Sequence, residues 1–160
     1  IDGSYPKRVN RALDALETGA FVPLPFPGPD EVAHAHPPSA KRDELEAIDA
    51  ALEPLANPSL SDPDLVVAVT ADHTTPSDGN VVHSGEPVPL VVCGETVRTD
   101  AIKTIGERPA SRGGLGRLRG HDLVYVLRAN ADRMLLDGLR RAPEVPDHPK
   151  TDLRSLEREP

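Results

Sequence analysis

Tryptophan is absent, and only two Tyr and two Phe stand among 160 residues. An aromatic platform for base stacking is therefore excluded, and any core has to be built from aliphatic side chains. The single cysteine, Cys93, has no partner for an internal disulfide. No apolar run approaches the roughly 18 residues that a bilayer span needs, so the expected setting is a reducing cytoplasm with no membrane contact. Positive charge is also scarce. With 18 Lys and Arg against 26 Asp and Glu, the formal net charge is −8, which argues against nucleic acid as a partner. The opening Ile1-Asp2-Gly3-Ser4 carries neither a basic n-region nor an apolar h-region, and the chain reads as a piece of something longer.

What is present suffices for one modest domain with a thin core. Leu, Val, Ile and Phe make up 39 of the 160 residues, a little above the roughly 20% below which chains stay disordered. Eighteen Pro and twelve Gly predict long irregular connections. The expectation is a loop-rich α/β domain over residues 1–141 and a disordered tail over 142–160, where Val145, Leu153 and Leu156 are the only large apolar residues.

Periodicity predicts the elements. Val9, Leu13 and Leu16 share a helical face within residues 6–18. Residues 21–26 have the apolar content of a short strand, although Pro23 and Pro25 each remove a ladder donor. Ser39 can cap a helix over 40–55 whose Leu45, Ile48, Leu52 and Leu55 follow helical spacing, with Lys41-Arg42-Asp43-Glu44 as a solvated face. The unbroken β-branched run at 64–70 predicts a strand buried on both faces, and strand, helix, strand in this order predicts a right-handed parallel crossover. Residues 88–93 predict a further buried strand, with Cys93 as a small core residue, and 120–139 a longer helix.

Chemistry gathers where strands end, which is where open α/β sheets bind ligands. The strand ending at Thr70 runs into Asp72-His73, and the segment after Phe26 supplies Asp30 and His34. Their spacing of four puts carboxylate and imidazole on one helical face, able to share a cation. His83 lies ten residues after His73, on the loop into the next strand. Singly, each has a plain structural explanation: a helix N-terminal aspartate, a surface histidine. Together they place five nitrogen and oxygen ligands on one rim. His36, His121 and His148 read as surface histidines, His36 at most an opportunistic ligand.

The block Thr70-Ala71-Asp72-His73-Thr74-Thr75-Pro76, followed by His83-Ser84-Gly85-Glu86-Pro87-Val88-Pro89, resembles the C-terminal metal-binding region of archaeal-type cofactor-independent phosphoglycerate mutases, members of the alkaline phosphatase superfamily. The likeness extends through Gly28-Pro29-Asp30-Glu31-Val32-Ala33-His34 and through 113–123, the stretch carrying Arg117 and Arg119. It implies the C-terminal part of an alkaline-phosphatase-like layered α/β fold with a mostly parallel sheet. It also implies two divalent ions, manganese first, with zinc, magnesium or cobalt as substitutes. Asp30, His34 and His83 would ligate one ion, and Asp72 and His73 would form part of the other's shell. The implied reaction is the isomerisation of 3-phosphoglycerate to 2-phosphoglycerate through a phosphoserine. Arg117 and Arg119 are candidate contacts for a phosphate or carboxylate of a phosphorylated small-molecule substrate.

The departures matter as much. The family's nucleophilic serine lies far upstream of the segment matched here, and Asp2-Gly3-Ser4 is no substitute, since no strand precedes it. Pro23, Pro25 and Pro27 replace a plain strand, and Ala35 stands where an aspartate often follows the ligand histidine. Three readings remain: a portion of a working mutase, a two-metal phosphate-ester or phosphonate hydrolase, or a non-catalytic metal-binding remnant. In the first, the chain alone is inactive and pairs with a missing N-terminal half or with itself.

Overall fold

The computed structural model describes residues 4–18, 21–35, 37–56, 65–78 and 81–131. In chain order these form helices α1 (Tyr5–Leu16), α2 (Gly28–Ala35), α3 (Pro38–Ala51) and α4 (Glu53–Ala56), strands β1 (Val67–Val69) and β2 (Val91–Cys93), the short helix α5 (Glu107–Ala110), a 3-10 turn (Gly120–Asp122) and α6 (Leu123–Asn130). No described helix is long and apolar enough to cross a membrane.

The helix α1 starts where its chemistry says it should. The carbonyl of Ser4 accepts the amides of Lys7 and Arg8 at 2.9 and 3.3 Å, and Pro6 occupies the first turn, where its missing N–H costs no helical bond. Val9 and Ala12 are buried on its inner face, against α3, which contributes Ile48 and Ala51. These four are the buried apolar residues among those described, so the thin aliphatic core is real. Val9 and Ile48 each contribute about 1.5–3 kcal/mol by leaving water. Leu45 does not join them; it is 49% exposed. Nor does Ser39 cap α3, because the helix begins at Pro38 with Pro37 in the capping position. The helix ends at Ala51 instead of running to 55, since Pro54 has no N–H to continue the ladder.

The predicted strand at 21–26 does not form. Val22, Leu24 and Phe26 are half-buried and alternate with exposed Phe21, Pro23 and Pro25, so the two-residue period survives without a ladder. Prolines at alternate positions leave too few donors for one. The segment is instead strapped to α1: Arg8 Nη1 donates to the Pro25 carbonyl at 2.9 Å, and Phe26 meets Tyr5 edge-to-face at 5.3 Å. The expected crossover therefore loses its first strand.

The strands β1 and β2 pair with each other antiparallel, in the register Val67 to Cys93, Ala68 to Val92 and Val69 to Val91. The parallel partner expected for the 64–70 strand is 21–26, which forms no strand; its described partner is instead 88–93, for which the pattern predicts no direction, and the two run antiparallel. A parallel pair needs a crossover of a dozen or more residues, usually a helix. The described part of the 70–90 connection holds no helix; it folds straight back through an antiparallel bridge between Thr74 and Ser84. With one strand neighbour each among the described residues, the strands are only half-buried, and Val69 and Cys93 are exposed. Cys93 is thus not a core residue. Of the helix predicted over 120–139, the described part is the 3-10 turn and α6; Thr96 Oγ1 donates to the carbonyl of Asn130 at its end. Residues 132–139 and the predicted tail at 142–160 lie outside the described residues.

Candidate metal centre

Two proline-ended approaches build the centre. Pro27 ends the strap on α1, and its carbonyl accepts the amides of Asp30 and Glu31 at 3.1 Å each, starting α2. Both acids sit in the first turn, where the helix dipole favours them, and His34 sits in the last. One turn of helix brings His34 Nε2 to 3.3 Å from Asp30 Oδ1. From the other side, β1 leads through Thr70, whose hydroxyl donates to the Pro89 carbonyl at 3.0 Å. The amide of Ser84 donates to Thr74 O at 3.0 Å. That closure delivers His83 Nε2 to 3.5 Å from Asp30 Oδ1 and 3.3 Å from His34 Nε2.

One ligand atom from each of Asp30, His34 and His83 thus lies within 4.8 Å of the other two. Their side chains are 37–43% exposed, open to an ion arriving from solvent. Two imidazole nitrogens with one carboxylate oxygen suit manganese, cobalt or zinc better than calcium.

Asp72 and His73 flank this triad. The amide of His73 donates to Asp72 Oδ1 at 3.1 Å, and the other carboxylate oxygen stands 3.6 Å from His73 Nε2, with the Asp72 side chain 89% exposed. The His73 ring stacks on that of His83, centroids 3.9 Å apart and planes 26° from parallel. All five residues singled out from sequence are therefore neighbours in space, three as a converging set and two as an adjoining pair.

Sequence reasoning missed the groups beneath them. Thr75, 5% exposed, donates its hydroxyl to Asp30 Oδ1 at 2.6 Å and lies 3.1 Å from His73 Nδ1. This hydrogen bond, aided by His34, His83 and His73, holds the Asp30 carboxyl below its usual range against the opposing effect of desolvation. Lys41, read as part of a solvated face, instead donates from Nζ to the Thr75 carbonyl at 2.6 Å, tying α3 to the rim. Arg42 and Asp43 do face solvent, paired at 2.9 Å. The signal for Thr75 was its place two residues after His73; for Lys41 the sequence offered none.

Arg117 and Arg119 are exposed and, among the described residues, have no hydrogen bond or ion pair with the rim. Arg119 Nε lies 3.9 Å from Asp122 Oδ2, and His121 Nε2 lies 3.3 Å from Asp122 Oδ1. His36 and His148 lie outside the described residues.

A family model described as Metalloenzyme superfamily matches residues 2–129. A Pyrococcus horikoshii protein named 2,3-bisphosphoglycerate-independent phosphoglycerate mutase is 38% identical over 120 residues, covering 75% of this chain and 29% of the relative. A Methanocaldococcus jannaschii protein named 2,3-bisphosphoglycerate-independent phosphoglycerate mutase 2 is 42% identical over 120 residues, 75% of this chain and 27% of its own length. A solved structure of a Pyrococcus horikoshii protein superposes with a TM-score of 0.75 at 36% identity, over 84% of this chain and 40% of the other. The chain thus spans less than a third of the length of these curated relatives.

Proposed function

The chain belongs to the Metalloenzyme superfamily, and we propose that it supplies the metal-binding part of a two-ion phosphoryl-transfer centre of the phosphoglycerate mutase type. In this reading Asp30, His34 and His83 hold one divalent ion, and Asp72 and His73 belong to the shell of a second, manganese being the first candidate for both. The observation that carries it is the convergence of Asp30, His34 and His83 from two distant segments onto one point. The relatives' names support the reaction class.

Bound there, two divalent ions would neutralise phosphoryl oxygens and make a nearby hydroxyl a better nucleophile. The residues of this chain do the rest of what it contributes. The dipole of α2 and the Thr75 hydroxyl keep Asp30 ionised and aimed at the imidazoles. The Thr74–Ser84 bridge fixes how far His83 reaches. We assign the substrate to phosphorylated small acids, 3- and 2-phosphoglycerate first, and the nucleophilic serine to sequence outside these 160 residues. A cytoplasmic setting and the antiparallel pair as part of a larger, mostly parallel layered sheet belong to the same reading.

Metal analysis tests it. After manganese or zinc loading and dialysis, the 160-residue chain should retain divalent metal, and His83→Ala should release it. Retention unaffected by that change would refute the assignment. The chain alone should show no metal-dependent interconversion of phosphoglycerates, because in this reading the nucleophilic serine belongs to sequence outside these 160 residues; a phosphoserine formed on it would contradict the placement of that serine elsewhere.

A further inference from the structure

Thr75 is the most buried polar side chain described, and it touches both halves of the candidate centre. Its oxygen lies 2.6 Å from Asp30 Oδ1 and 3.1 Å from His73 Nδ1. A hydroxyl owns one proton. An ionised carboxylate can only accept, so the 2.6 Å contact to Asp30 takes that proton. The contact to His73 then needs a proton of its own, and the imidazole has to provide it from Nδ1. With Nδ1 protonated in the neutral ring, Nε2 is left with its lone pair bare. That nitrogen is the one beside Asp72, 3.6 Å from Oδ2.

We propose that Thr75 is a positioning residue: by giving its single proton to Asp30 it sets His73 in the Nδ1–H tautomer and presents Nε2, together with Asp72, for a divalent cation. The role of Nε2 rests on the metal-centre reading above; the tautomer does not. The Lys41 ammonium on the Thr75 carbonyl and the stacking of His73 on His83 restrain the two partners of the relay, so the hydroxyl stays between them. The two ligand groups are thus coupled through one oxygen atom although Asp30 and His73 come from segments 43 residues apart.

Long-range proton–nitrogen correlation spectra of the full 160-residue chain, metal-free and at a pH where imidazoles are neutral, read the tautomer directly, with His73→Gln used for assignment. The expected result is His73 protonated on Nδ1 in the unmodified chain and in Thr75→Ser, and a return toward the ordinary Nε2–H form in Thr75→Val. A zinc titration of the same three proteins should show the His73 site weakened about 10- to 100-fold in Thr75→Val and restored in Thr75→Ser. His73 protonated on Nε2 in the unmodified chain would overturn the proposal whatever the variants do, and so would an Nδ1–H form that survives in folded Thr75→Val. The tautomer pattern as expected without any zinc uptake would support the positioning role and defeat the metal reading. Zinc bound with equal strength by Thr75→Val and the unmodified chain would do the reverse.

Discussion

Two polar regions of this chain are organised in opposite ways. In the rim, Asp30, His34, His73, Thr75 and His83 meet side chain to side chain, drawn from two distant parts of the chain. In the glycine-rich loop at 113–120, order comes from backbone. Asp100 accepts the amides of Ile102 and Gly114 at 2.8 and 2.7 Å, and Gly116 takes a positive φ of 64° that other residues adopt only at a cost. Its arginines project into solvent. A region that spends its side chains on one another is prepared for a ligand before the ligand arrives. One that fixes only its backbone leaves Arg117 exposed and Arg119 held only loosely, 3.9 Å from Asp122 Oδ2.

Removing a side chain from each region should separate them most sharply. His34→Ala should lower zinc affinity about 100-fold or more, while Arg119→Ala leaves it unchanged; competition with a chromophoric chelator measures both. Equal losses would erase the distinction. Next in size is the effect of acid on the rim. Ligation requires neutral imidazoles, so zinc affinity at the rim should fall steadily on acidification as protons compete for the histidine nitrogens, and the loop, lacking such ligands, should contribute nothing to that fall. Lys41→Met removes the ammonium from the Thr75 carbonyl and should cost about 1–2 kcal/mol of stability, seen as a shift in the denaturant midpoint.

The smallest effect concerns Asp100, whose carboxyl the amides of Gly114 and Ile102 hold below its ordinary value of 3.8. A group with a depressed native value stabilises fully above the ordinary one, and the contribution is lost as pH falls through the depressed one. Stability should therefore decline below about pH 4. In Asp100→Asn that decline should be shallower and the amides of Ile102 and Gly114 should exchange faster. Asp30, depressed by Thr75, adds to the same acid limb with the same sign.

How much of this could be read from sequence follows the same division. The i, i+4 spacing of Asp30 and His34 is a local property of a helix, and it was legible. So was the emergence of Asp72 and His73 from a β-branched run. The direction of β2 was not, because antiparallel pairing depends on the Thr74–Ser84 bridge that folds the connection back, and nothing in the hydrophobic pattern distinguishes that from a crossover. The strand at 21–26 failed for a reason visible in advance, its prolines; the apolar alternation persisted while the ladder did not. Thr75 and Lys41 act through contacts spanning 45 and 34 residues, which periodicity cannot register.

The central claim is that Asp30, His34 and His83 surround one divalent ion. X-ray absorption of the chain loaded with one equivalent of zinc tests it most directly. The account predicts a shell with two imidazole nitrogens and a carboxylate oxygen at about 2.0–2.2 Å, with the imidazole scattering reduced in His83→Ala. A shell without imidazole, or one that His83→Ala leaves intact, would contradict it.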